Sequence, residues 1–187
     1  RMVPGVRERQ QHPRFLTAMA VALSLASEFD DETIAADGVS EPWQVFEWYL
    51  GEGLVRRTSD AKRLRGLPGQ DKAASAIKDR VPLSARRYLK TPTVFGFHGV
   101  YRVLARDAEV ERGDRLGETG YQLLKTWERE QGLSGFSGSG GGLGATIRKR
   151  LLDALRDGLA NGAVARKPGW AGGHIFSDDL GNNDAGD

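Results

Sequence analysis

Apolar positions along this chain recur at helical spacing far more often than they alternate. Residues 15–26 (FLTAMAVALSLA) are apolar nearly all round, the pattern of a buried helix, which Pro13 can open and which runs to about Phe29. A short helix is expected over 31–37, ended by Gly38. Another starts after Ser40, with Glu41 and Pro42 in its first turn, and reaches Glu52, where Gly53 stops it. Residues 54–57 then read as a strand, 58–62 as a turn and 63–67 as the returning strand. Pro68-Gly69 breaks the chain before a helix over 70–79. Pro82 opens a short helix over 83–90, Thr91-Pro92-Thr93 turns, and 97–107 forms the next helix. Residues 110–112 and 115–116 pair around Gly113-Asp114, and a helix over 118–131 follows. Residues 134–144 (SGFSGSGGGLG) read as a Gly/Ser linker or mobile loop. A helix over 145–160 and a last hairpin, 163–166 returning through 173–176, complete the pattern.

Three short stretches echo one another: Gly53-Leu54-Val55-Arg56-Arg57, Ala108-Glu109-Val110-Glu111-Arg112 and Gly162-Ala163-Val164-Ala165-Arg166. Each follows a helical run and precedes a polar turn, which suggests a repeated unit. The expected fold class is mainly α with small β-hairpins (α+β), organised as tandem units. An arm (1–12) precedes unit 1 (13–80) and unit 2 (81–133). The Gly/Ser-rich loop (134–144), a partial third unit of helix plus hairpin (145–177) and a flexible tail (178–187) follow.

Unit 2 carries the sharpest motif, Val110-Glu111-Arg112, Gly113-Asp114, Arg115-Leu116, then Glu118-Thr119-Gly120. This resembles the third helix, wing and following helix of winged helix-turn-helix domains. The other two units match only loosely, and the helices that should precede 145–160 are not evident. The resemblance implies tandem winged-helix units and binding of double-stranded DNA. It implies that the third helix, 97–107, enters the major groove.

Within 97–107, Phe97, Val100, Val103 and Leu104 share one face, while His98, Arg102 and Arg106 line the other, with Tyr101 at the margin. An arginine there can read guanine. Arg86, Arg87 and Lys90 suit phosphate contacts, as do Arg112 and Arg115 on the hairpin. Lys62, Arg63 and Arg65 make the first wing basic. Arg148, Lys149 and Arg150 sit near a helix start, and Arg166 and Lys167 stand in the last wing.

Charge distribution qualifies this. Net charge is only +2, and residues 15–55 hold eight acids and no Lys or Arg. The helix from Ser40 would therefore repel phosphates. It also holds Trp43, Phe46, Trp48 and Tyr49, more aromatics than one face can bury. Trp43, Trp48 and Tyr49 are accordingly expected at a protein interface.

Chemistry is sparse. There is no Cys, which excludes a disulfide framework and fits a cytoplasmic location. The histidines lack metal-ligand spacing, residues 138–144 lack the Lys-Ser/Thr pair of a P-loop, and no nucleophile has a neighbouring base. Residues 15–26 are too few to cross a membrane. No cofactor, metal, catalytic residue or membrane association is expected. The reading is a non-enzymatic double-stranded DNA-binding protein. The alternative is a protein-interaction or scaffold module of a larger assembly, such as a nucleoprotein or phage-defence machine.

Overall fold

The computed structural model describes residues 14–58, 64, 66–138 and 140–165. These form seven helices and one two-stranded antiparallel sheet. The apolar run folds as helix α1, Arg14–Ala26, and buries eight residues, Phe15, Met19, Val21 and Leu25 among them. Helix α2, Pro42–Arg57, buries eleven. Its N-terminus is closed by a capping box: Gln44 Oε1 accepts the Glu41 N–H at 2.8 Å, and Pro42 stands in the first turn. Ser40, expected as the cap, instead donates its hydroxyl to Asp37.

Gly53 does not end α2, and residues 54–57 are helical rather than a strand. Each helical glycine costs about 1 kcal/mol relative to alanine. Here burial of Leu54 in the core and the Arg56–Glu52 ion pair one turn apart offset that cost. The first wing is therefore not a hairpin. Lys62, Arg63 and Arg65 lie outside the described residues. Residues 31–37 form turns, not a helix.

Helix α3 spans Gln70–Lys78. Residues 83–90, expected as a helix, make a single turn. Ser84 is drawn instead into a bridge with Ala163, and the Val164 N–H donates to Leu83 O at 2.9 Å. Residues 163 and 164 thus link back to this turn, and the expected returning strand, 173–176, with Arg166 and Lys167, lies outside the described residues. A one-turn helix α4, Pro92–Phe95, stands where a turn was expected and leads through Gly96 into α5, Phe97–Asp107.

Residues 110–120 take the expected hairpin and helix start. Strands β1, Glu111–Arg112, and β2, Arg115–Leu116, pair Arg112 with Arg115. Gly113 (φ 57°) and Asp114 (φ 63°) form the tight primed turn that such a two-residue loop requires. Helix α6, Glu118–Glu130, and helix α7, Leu143–Asn161, complete the fold. The segment between them is not an unanchored linker. Leu133 and Phe136 are buried, and Glu128 accepts hydrogen bonds from the Gly135 and Ser137 N–H groups.

One apolar cluster runs from Phe15 to Val164 and draws on all three expected units. Helix α1 packs against α2, α5, α6, α7 and β2, and α2 packs against α3, α5 and α7. Separate tandem cores are not what these helices build. No helix among the described residues is long and apolar enough to cross a membrane.

Candidate interaction surface

Helix α5 lies where the sequence places it but is rotated by about a quarter turn. Its buried stripe is Phe97, Tyr101 and Ala105. Phe15 of α1 meets the Phe97 and Tyr101 rings edge-on, at 5.0 and 5.4 Å between centroids. Tyr101 is only 1% exposed, so it is a core residue and not a DNA contact. Val103, expected inside, is 43% exposed.

This orientation is matched by a buried carboxylate within the hairpin motif. Glu111 on β1 is 2% exposed, and its Oε1 accepts from Arg102 Nε at 2.9 Å and Arg106 Nε at 3.0 Å. Both guanidiniums also reach Asp114 Oδ1 at the hairpin turn through Nη2, Arg106 at 3.2 Å. The two arginines are thus turned toward the protein and neutralised there, which leaves Val103 to solvent. As base-reading groups they are already engaged. His98, on the same stripe, stacks on Trp43 at 4.5 Å between centroids. Its Nε2 lies 3.9 Å from Glu111 Oε2, a buried oxygen that accepts no hydrogen bond among the described residues. Burial pushes the His98 imidazole down to about 4, against the opposing pull of Glu111, and Arg102 and Arg106 push it the same way as burial. It is neutral at pH 7 and offers a phosphate no charge.

The remaining predicted cations divide into two groups. Arg148 is structural: it donates to Ser24 Oγ, Ser24 O and Glu28 Oε1, each at 2.8 Å, and ties α7 to α1. Arg112 and Arg115 extend from the hairpin, 79% and 77% exposed, within reach of Glu109 and Asp31 respectively. Arg86, Arg87, Lys90, Lys149 and Arg150 are exposed. Of the expected interface aromatics, Trp48 and Tyr49 are core residues, because α2 is enclosed on all sides. Tyr49 uses its hydroxyl to accept the Ala165 N–H at 3.0 Å. Trp43 is half-buried and donates its indole N–H to Glu41.

A second buried carboxylate, Glu47 of α2, governs the other side of α5. Its Oε1 accepts the Tyr88 hydroxyl at 2.6 Å and the Phe97 N–H at 2.7 Å. It thereby satisfies a free donor at the α5 N-terminus, with the helix dipole in its favour. Gly96 is required here, since a Cβ would stand 2.6 Å from Glu47 Oε1. Burial raises the Glu47 carboxyl to about 7, although Tyr88, Phe97 and His98 hydrogen bonds favour its charged form. The Tyr88 hydroxyl also lies 3.2 Å from Pro68 O, and its ring fills the space above Gly69 that a side chain would need. Glu47 and Tyr88 thus hold two walls at fixed separation: turn 66–69 and the start of α5.

Between those walls lies a cavity of about 420 Å³, lined by turn 66–69, Leu89, Phe95 and Val100. Val94 (55% exposed) and Phe95 (51%) on α4 and Val103 (43%) on α5 are exposed apolar residues. The sequence signal was present in residues 94–103, where apolar residues exceed what one stripe can bury. Among the described residues, no group of acids and histidines could hold a metal ion. Compared with known proteins, the chain matches no family model, and no curated protein and no solved structure is similar enough to count as a match.

Proposed function

We propose that this chain is a non-enzymatic docking module that engages a protein partner through the outward face of α4 and α5. The observation that carries the reading is the division of labour on α5. Its arginine stripe is spent on Glu111 and Asp114, while its solvent face, with α4, presents Val94, Phe95 and Val103. Exposed apolar side chains favour protein contact over nucleic-acid contact, and Ile34, Val39, Tyr121 and Leu143 are exposed as well. The test uses the full chain as bait in an extract of its source cells, with cross-linking and mass spectrometry. Proteins held by the parent chain should be lost from a Val94→Ser/Val103→Ser variant of unchanged unfolding midpoint. Retention of the same set by that variant would refute the reading.

A second reading, duplex DNA bound by the α5–hairpin–α6 succession, is the one the winged-helix resemblance implies. The exposed Arg112 and Arg115 favour it. Against it, Arg102, Arg106, Arg112 and Arg115 are balanced over 98–115 by Asp107, Glu109, Glu111 and Asp114. A neutral element gains little from phosphate neutralisation, which supplies most of the affinity of proteins for DNA. A gel shift with random duplex at low salt tests it: loss of the shifted band in an Arg112→Ala/Arg115→Ala variant would support this reading, and no band with the parent chain would end it.

A further inference from the structure

Independently of the docking face, we infer that a second cavity, at the C-terminal end of α6, binds a small phosphate monoester whose phosphate is held by Lys125, Arg129 and the Ser134 hydroxyl. The cavity has a volume of about 430 Å³ and is lined by Lys125, Glu128, Arg129, Gly132 and Ser134. None of these side chains is apolar, so the site offers no seat to a hydrophobic anchor, unlike the cavity beside α5. Lys125 and Arg129 stand one turn apart on α6, and both line it. Gly132, in left-handed backbone (φ 66°), closes the helix and turns the chain so that Ser134 lines the same cavity.

Glu128 is the one acid in the lining, and its charge is already met. Its Oε1 accepts the Gly135 N–H at 2.8 Å, and its Oε2 accepts the Ser137 N–H at 3.2 Å and the Ser137 hydroxyl. Burial pushes its carboxyl up, but the Ser137 hydroxyl, the two N–H groups and Lys125 outweigh burial and hold it below the usual carboxylate range. Lys125 Nζ lies 3.7 Å from Glu128 Oε2, too far for a hydrogen bond, so its N–H groups remain for another acceptor. Arg129 is exposed and has no ion pair with any described residue. Its planar guanidinium can fork onto two phosphate oxygens. A phosphate alone fills a fraction of this volume, which lies within the size range of small-molecule sites, so an organic body of about sugar size fits beside it. A long nucleic acid gains its affinity from many neutralised phosphates, and two cations do not supply them.

Amide NMR spectra of the full chain, titrated with ribose 5-phosphate, inorganic phosphate and ribose, test this. Ribose 5-phosphate should shift the amides of residues 125–134 saturably, with a Kd of about 1 mM or below. Inorganic phosphate should move the same amides with weaker affinity, and ribose should leave them in place. Arg129→Gln should weaken binding about tenfold or more, and Arg129→Lys, which keeps the charge without the fork, should weaken it less. Ser134→Ala should weaken it about threefold. Both positions are exposed, so the variants should keep the parent unfolding midpoint. No saturable shift below about 10 mM ribose 5-phosphate, equal shifts with ribose, or unchanged affinity in Arg129→Gln would overturn the inference. So would binding of inorganic phosphate as tight as that of the ester, which would mark an adventitious ion only. A phosphoserine peptide that binds more tightly than ribose 5-phosphate, and is lost in the same variants, would replace the small ligand by a modified protein segment.

Discussion

Glu47 and Glu111 are both buried carboxylates set against α5, and they hold it by different means. Glu47 meets neutral donors, the Tyr88 hydroxyl and the Phe97 N–H, at the helix N-terminus. Glu111 meets two guanidiniums on the helix flank and keeps one oxygen without a hydrogen bond. Neutral donors leave the desolvation of Glu47 partly uncompensated, so its carboxyl is raised to about 7. The arginines at Glu111 can swing to water if their partner is lost, because each is at least a third exposed or close to it. Tyr88 and the Phe97 amide cannot. One carboxylate fixes the position of the helix and of the slot beside it; the other sets which face the helix shows to solvent.

Breaking Glu47 should have the largest effect. Glu47→Ala leaves the Phe97 N–H without its acceptor, leaves the Tyr88 hydroxyl only the longer bond to Pro68 O and opens a void, a loss of about 3–5 kcal/mol in denaturant unfolding. A loss below about 1 kcal/mol would mean that the donors find other partners. Glu47→Gln keeps shape and acceptor and should cost far less.

The next effect is pH-dependent and separates the two sites further. Above the ordinary carboxyl value of 4.5 and up to about 7, the folded chain keeps a proton on Glu47 that the unfolded chain has released. Stability therefore falls as pH rises through that window. Between about 4 and 6.5 the unfolded chain holds a proton on His98 that the folded chain does not, so stability rises with pH. The two slopes oppose one another, and the parent chain should show a nearly flat profile where they overlap. Glu47→Gln should expose the rising limb and His98→Gln the falling one, each by about 2–3 kcal/mol across the overlap. Unfolding midpoints collected against pH for the three proteins would show it, and parallel profiles would refute the opposition.

The smallest effects sharpen the comparison at the hairpin. Glu111→Gln should cost about 1–2 kcal/mol and raise amide exchange at Arg112 and Arg115 while leaving the α5 N-terminus protected. Asp114→Asn should cost under about 1 kcal/mol, since that carboxylate is exposed and asparagine accepts its left-handed backbone. If Asp114→Asn costs more than Glu111→Gln, the exposed acid rather than the buried one holds the arginines.

Much of the local structure was legible from spacing alone. The 97–107 helix, the hairpin around Gly113-Asp114 and the helix beginning at Glu118 appear at those bounds, because local geometry decides them: 3.6-residue periodicity, a turn that needs positive φ, and a small residue where the chain enters a helix. The echo of three valines was misleading. Val55 is helical, Val110 precedes β1 and Val164 pairs back to Leu83, so similar pentapeptides adopt three conformations under three different tertiary contexts.

Spacing and composition are enough to specify a mainly helical chain and the hairpin around Gly113-Asp114, though not which of the three expected hairpins would form. Long-range packing settles the rest: which face of α5 is buried, that residues 45–54 of α2 are buried all round, and that turn 66–69, Leu89, Phe95 and Val100 wall a common slot. The physical reason is that Glu47 finds its donors 41 to 51 residues away, while Glu111 takes arginines only five and nine residues off but from a different element. A buried carboxylate must be satisfied wherever the fold brings donors to it, and no local periodicity records where that will be.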